Sequence, residues 1–168
     1  MSIESVQISS IMTTDVKTAR ESQTIRAVAG AMVEHGIGSI VIVKDADRRT
    51  PVGILTERDI VRLVGAPTLT FATQVKEVMK KPLITADPKV SIRDAMQTMQ
   101  TENIRRLPVV EKGKMIGIVT DKDIFRAILQ SQTLISDMIS DTVIFEYKPV
   151  YEQLSEFMLS EIYLPGGR

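Results

Sequence analysis

Cysteine is absent from this 168-residue chain, so a disulfide framework, a thiolate nucleophile and a Cys-ligated zinc are all excluded. Histidine occurs once, at His35, just before Gly36 at an expected helix C-terminus, where an imidazolium suits the helix dipole and the role is structural. Aromatic residues make up only 4%, few for stacking on bases. Net charge is also lacking: 21 basic residues balance 21 acidic ones, so no whole-chain field argues for nucleic acid or an anionic membrane as the main partner. No apolar run reaches membrane-spanning length, and the opening "MSIESVQISS" lacks the charged-then-apolar pattern of a signal peptide. A soluble cytoplasmic protein without a membrane partner is expected. "HGIGSI" lacks the third glycine and the preceding long strand of a dinucleotide fingerprint. Nothing assembles a catalytic triad or a metal set.

What the chain does have is 43% hydrophobic and 25% charged residues, as expected of one compact globular unit. It also has an internal duplication. Laying Met12 on Met79 pairs Thr18 with Thr85, Ala19 with Ala86, Ile25 with Ile92, Met32 with Met99 and Val43 with Val110 without a gap. Three residues then drop out of the second copy's turn, "KDADRRT" shortening to "EKGK", and Gly53, Thr56, Asp59 and Arg62 meet Gly117, Thr120, Asp123 and Arg126. Each copy reads as a short extended piece ("VKTA", "LITA"), a helix capped by Thr24 or Ser91, two β-branched strands about a turn, and a final helix. The apolar stripes are Ile25, Val28, Ala29, Met32 and Val33 in the first copy and Ile92, Ala95, Met96 and Met99 in the second. A β-α-β-β-α unit of about 60 residues is marginal for burying its own core, so two copies are expected to pack sheet to sheet as one pseudo-twofold α+β module. The copies span 8–66 and 75–130. Residues 135–168 form a C-terminal extension: "ISDMISDTVIF" echoes "ISSIMTTDVKT" and "VKEVMKKPLIT", and Pro149 opens a helical pattern. The extension reads as the start of an incomplete third repeat or as a helical core cover.

Charge divides along the chain. Residues 76–130 hold eleven Lys and Arg against seven Asp and Glu, whereas 131–168 hold two against six. A basic second copy is followed by an acidic tail.

The doubled corner, "GILTERDI" and "GIVTDKDI", carries the chemistry. As plain structure, Thr56 and Thr120 are N-caps and Asp59 and Asp123 close capping boxes. The same helix N-terminus offers donors and a positive dipole end to a phosphate, and its carboxylate can accept from a ribose diol. Gly53 and Gly117, without side chains, would let a flat base approach the strand. Both readings stand on the motif alone.

This β-α-β-β-α repeat, ending in Gly, two apolar residues, Thr, two polar residues, Asp and an apolar helix, resembles a tandem pair of CBS domains (a Bateman module) over residues 8–130. The second copy, "NIRRLPVVEKGKMIGIVTDKDI", is the closer match; the first departs in "IVIV" and in its longer turn. The resemblance implies two clefts for adenosine-containing ligands, AMP, ADP or ATP foremost and S-adenosylmethionine as the alternative, with no required cofactor. It implies that Asp59 and Asp123 hold ribose hydroxyls, and that Thr56 and Thr120 contact ribose or phosphate. Thr18 with Ala19, and Thr85 with Ala86, would border adenine. The backbone at Ile37, Gly38 and Ser39, and at Ile104, Arg105 and Arg106, would read its edge. Arg105 and Arg106 would make the second cleft basic, unless they are only a solvated strand end. Lys17, Lys89, Arg58 and Lys122 are weaker phosphate candidates. A homodimer and an unidentified regulated partner protein are also implied. An enzyme is the weakest reading, because no general base stands beside a nucleophile; a ligand sensor and a ligand-free dimerisation module remain.

Overall fold

The computed structural model describes residues 3–65, 70–131 and 133. The first copy runs β1 (Thr18–Arg20), α1 (Ile25–Glu34), β2 (Ser39–Val43), β3 (Pro51–Thr56) and α2 (Glu57–Val64); the second runs α3 (Ile92–Thr101), β4 (Arg106–Glu111), β5 (Lys114–Thr120) and α4 (Asp121–Leu129). Short 3₁₀ turns at Ile8–Ser10 and Val75–Glu77 open the copies. The expected third opening at 135–168 lies outside the described residues.

The helix starts follow local chemistry. Thr24 Oγ1 accepts the Ala27 amide at 3.2 Å, and Ser91 Oγ accepts the Asp94 amide at 3.1 Å, satisfying donors that have no intrahelical partner. Both α1 and α3 are followed by a left-handed residue, Gly36 at φ 61° and Asn103 at φ 50°, the two residue types that tolerate that conformation best.

In the first copy the sheet order is β1-β2-β3, with β1 parallel to β2 and β2 antiparallel to β3. In the second, β4 and β5 form a two-stranded hairpin. The opening strand expected at "LITA" shrinks to a single bridge residue, Ala86. The cause is visible one step further on. Glu21 donates its amide to Val43 O at 3.1 Å, prolonging the β1–β2 pairing, and the equivalent residue is Pro88, which has no N–H to give.

The described residues form two compact units that do not follow the repeat boundaries. One holds those within 1–12, 86–107 and from 118 onward; the other holds those within 13–85 and 108–117. The second copy's opening segment thus joins the first copy, and the beginning of the chain joins the second copy's helices. In the unit built on the first copy, Ala19, Ile25, Val28, Met32, Ile40, Ile42 and Leu55 form the core together with Val75 and Met79. In the other unit Ile8, Ile92, Ala95, Met96, Met99, Leu107, Ile124 and Ile128 are buried. Burial of such side chains contributes roughly 1.5–3 kcal/mol each. Val33 departs from the expected stripe and is 82% exposed: its helical spacing marks an apolar face, not what covers it.

The first copy's longer turn is put to use. Arg49 O accepts the Met115 amide at 2.7 Å, Thr50 Oγ1 accepts from Lys114 Nζ at 3.2 Å, and Asp47 pairs with the same ammonium, so the turn grips the start of β5.

Candidate functional site: two capped helix corners

At the first corner Asp59 Oδ2 accepts from the Thr56 amide at 3.0 Å and from Thr56 Oγ1 at 2.6 Å, while Thr56 Oγ1 accepts the Asp59 amide at 3.3 Å. At the second, the corresponding distances for Thr120 and Asp123 are 3.0, 2.7 and 3.2 Å. Both expected capping boxes are therefore formed. Each box commits one carboxylate oxygen and the only hydroxyl proton of its threonine. What remains is Oδ1 of each Asp and one lone pair on each Thr Oγ1. Such a corner can accept from ribose hydroxyls, whereas neither threonine can donate to a phosphate without giving up its bond to Asp.

The loop before each sheet closes over the same corner. Gly38 O accepts the Glu57 amide and Arg105 O accepts the Asp121 amide, each at 3.2 Å. The Ile37 and Ile104 amides are spent on Met32 O and Met99 O, at 3.0 and 2.9 Å. An adenine edge would therefore have to be read by the other backbone groups of Ile37–Ser39 and Ile104–Arg106. Ser39 pairs with Thr56 and Thr18 with Val41, so Thr18, Ser39 and Thr56 lie on three adjacent strands, about 10 Å across. Thr18 is exposed, but the Ala19 side chain enters the core and leaves only its backbone for a ligand. In the second copy Thr85 is exposed, and Ala86 and Arg106 are half-buried.

One expectation is overturned. Gly53 does not offer an open face to a flat base: a Cβ there would lie 2.5 Å from Met79 Sδ and 3.0 Å from Lys80 O. Lys80 and Ile54 exchange backbone hydrogen bonds at 2.9 and 3.3 Å, drawing that segment against β3. The glycine is there for close chain packing.

Three features escaped the sequence reading. Asp121 is 5% exposed, and Arg105 Nε stands 3.9 Å from its Oδ2. Arg62 and Arg126, three residues beyond Asp59 and Asp123, reach the Oδ1 atoms that the boxes leave over at 3.9 and 3.4 Å, the latter as a hydrogen bond. The "DIVR" and "DIFR" spacing carried that signal. Of the weaker candidates, Lys17 is held by Asp15 at 2.9 Å, while Arg58, Lys89 and Lys122 are exposed. Lys17's hydrogen bond and charge hold the Asp15 carboxyl below its ordinary value.

The CBS domain family matches residues 8–66 and 75–130. The chain belongs to the CBS-domain family. It is an α+β protein with two CBS repeats, a CBS pair. The chain is 38% identical over 126 residues to the uncharacterized protein MK0525 of Methanopyrus kandleri, the match covering 74% of this chain and 63% of that protein. It is 38% identical over 113 residues to the CBS domain-containing protein YhcV of Bacillus subtilis, covering 67% of this chain and 79% of the other. Among solved structures, the CBS pair of protein MJ0100 in complex with 5′-methylthioadenosine and S-adenosyl-L-methionine is similar with a TM-score of 0.66 at 26% identity, over 74% of this chain and 97% of that one. Hypoxic Response Protein I with two coordinated zinc ions is similar with a TM-score of 0.65 at 30% identity, over 72% and 98%. Among the described residues no three His, Cys, Asp or Glu side chains are close enough to hold a metal ion, and no helix is long and apolar enough to cross a membrane.

Proposed function

We propose that this CBS pair is a binding and signalling module, not an enzyme, and that it takes a phosphorylated adenosine, AMP, ADP or ATP, at its helix corners. The observation that carries the reading is the second corner. There Asp123 Oδ1, beyond the bond that it accepts from Arg126 at 3.4 Å, has a lone pair for a ribose hydroxyl, and Arg105, anchored by its carbonyl to the same helix start, carries a guanidinium suited to phosphate. The first corner offers the same carboxylate beside the neutral Gly38 and Ser39, so the second corner binds the phosphorylated ligand more tightly. S-adenosylmethionine is the second reading, favoured by the complex of the MJ0100 pair.

Thermal-shift and calorimetric titration with AMP, ADP, ATP and S-adenosylmethionine tests the ligand. A ligand at a hundredfold excess over its Kd adds about 2.7 kcal/mol to folding stability. Silence from all four at millimolar concentration leaves the ligand-free dimerisation module.

The signal passes to a separate protein through a homodimer. Val33 on α1 and Val61 and Val64 on α2 are 82, 70 and 71% exposed, apolar side chains that a second copy would cover. Light scattering of the full chain and of a chain ending at Gln132 tests this. A monomeric full chain defeats the dimer, and a dimer lost on truncation assigns residues 133–168 to the interface.

A further inference from the structure

Asp59 and Asp123 are each followed by two apolar residues and then an arginine, Arg62 or Arg126. Of the shared positions, Ile60 packs against its unit's core and Ile124 is fully buried, so burial accounts for their recurrence. It does not account for the arginines, whose side chains are 66 and 67% exposed. An exposed ion pair three residues apart on a helix also contributes little to stability. What the two arginines have in common is their partner. Each places Nη1 at Oδ1 of the corner carboxylate, at 3.9 Å in the first copy and at 3.4 Å, as a hydrogen bond, in the second.

Each carboxylate is thereby addressed at both oxygens. Oδ2 takes the threonine amide and hydroxyl from the strand end, and Oδ1 faces the guanidinium from the next turn of the helix. The last torsion of an aspartate side chain is broad, so bonds to Oδ2 alone leave Oδ1 free to swing about them. A guanidinium bond to Oδ1 fixes the carboxylate plane and, by taking one of two lone pairs, leaves a single direction from which that oxygen can accept a ribose hydroxyl. An acceptor set in advance costs the ligand less ordering than one that it must orient itself.

We infer that Arg62 and Arg126 are positioning residues for ribose: each sets Oδ1 of its aspartate, so that a corner's preference for an intact ribose over a deoxyribose comes from the arginine as well as from the carboxylate. The effect is larger at the second corner, where the hydrogen bond is formed. The inference rests on the proposed binding of an adenosine ligand at the corners, and it does not require either arginine to touch that ligand.

Calorimetric titration of the Asp59→Ala chain, in which only the second corner keeps its carboxylate, with AMP and with 2′,3′-dideoxy-AMP tests it. This chain binds AMP more tightly than the dideoxy analogue. Adding Arg126→Met lowers the affinity for AMP about tenfold and that for the analogue by less than about twofold. Arg126→Lys, which keeps a donor within reach of Oδ1, restores most of the AMP affinity. Arg126 lies at the surface, so its loss leaves the fold intact. An equal loss for both nucleotides overturns the inference, since the guanidinium would then meet the phosphate or act through net charge. A preference for AMP untouched by Arg126→Met also overturns it and leaves the proposed function standing. If the Asp59→Ala chain binds neither nucleotide, or binds both equally, the ribose reading of the corner falls and this inference falls with it.

Discussion

The two corners agree to about a tenth of an ångström in their capping bonds and differ in what stands before them. Gly38 and an exposed Glu57 flank the first, while Arg105 and the buried Asp121 flank the second. The shared part is what any helix leaving a strand at a sharp turn requires, since its first amides need acceptors. The unshared part costs the fold little and is where ligand preference can differ. The terminal helices diverge as well: α4 buries Ile124 and Ile128, whereas α2 leaves Val61 and Val64 in solvent.

The largest effects belong to what the copies share. Ile25→Ala and Ile92→Ala, at equivalent and fully buried helix starts, should each lower stability by about 2–5 kcal/mol in urea unfolding. A loss confined to one of them would break the equivalence of the copies. Gly53→Ala comes next, about 1–3 kcal/mol, because the Met79 side chain can move aside but Lys80 O, in a backbone pair with β3, cannot. An unchanged melting midpoint would mean that the segment slides freely.

Asp59→Ala and Asp123→Ala should cost similar stability, about 1 kcal/mol each, through the lost caps. Binding should separate them, with nucleotide affinity falling far more for Asp123→Ala in calorimetry. The reverse order would reject the ranking of the corners. The smallest effect is one of pH, at a position where the second copy has Pro82. Because Lys17 lowers the folded-state value of Asp15, the pair's contribution is present above the unfolded carboxyl value near 3.9 and fades as pH falls through the lowered one. Asp15→Asn should therefore alter melting only slightly at neutral pH, and the difference from the unmodified chain should vanish once the pH has fallen below the lowered value.

Local chemistry made much of this readable in advance. Thr or Ser followed three residues later by Asp announces a cap, and the positions of Thr56, Ser91 and Thr120 follow from it, while Thr24 is announced by its residue type ahead of an apolar stripe. Losses came where a distant partner decides the outcome. "LITA" has the composition of a strand, but Pro88 withholds the amide that Glu21 gives in the first copy. Val33 has core spacing but no described residue covers most of it, and the partner of Gly53 is a methionine from the following repeat. Asp121 stands in the motif only as one of two polar residues, because its burial depends on tertiary placement.

The crossing of the two units over the repeat boundaries has a consequence for synthesis. Residues 3–12 are synthesised well before the helix start that they satisfy, Ile92 with Arg93, which is made about eighty residues later, several seconds at ordinary translation rates. The first copy has its own strap, residues 71–80, as soon as that segment emerges. The chain's beginning must wait unpaired, with Ile3 and Ile8 exposed, while the first copy assembles beside it. Chaperone contact with residues 3–12 of the nascent protein should accordingly be strong until α3 has emerged and fall away after it.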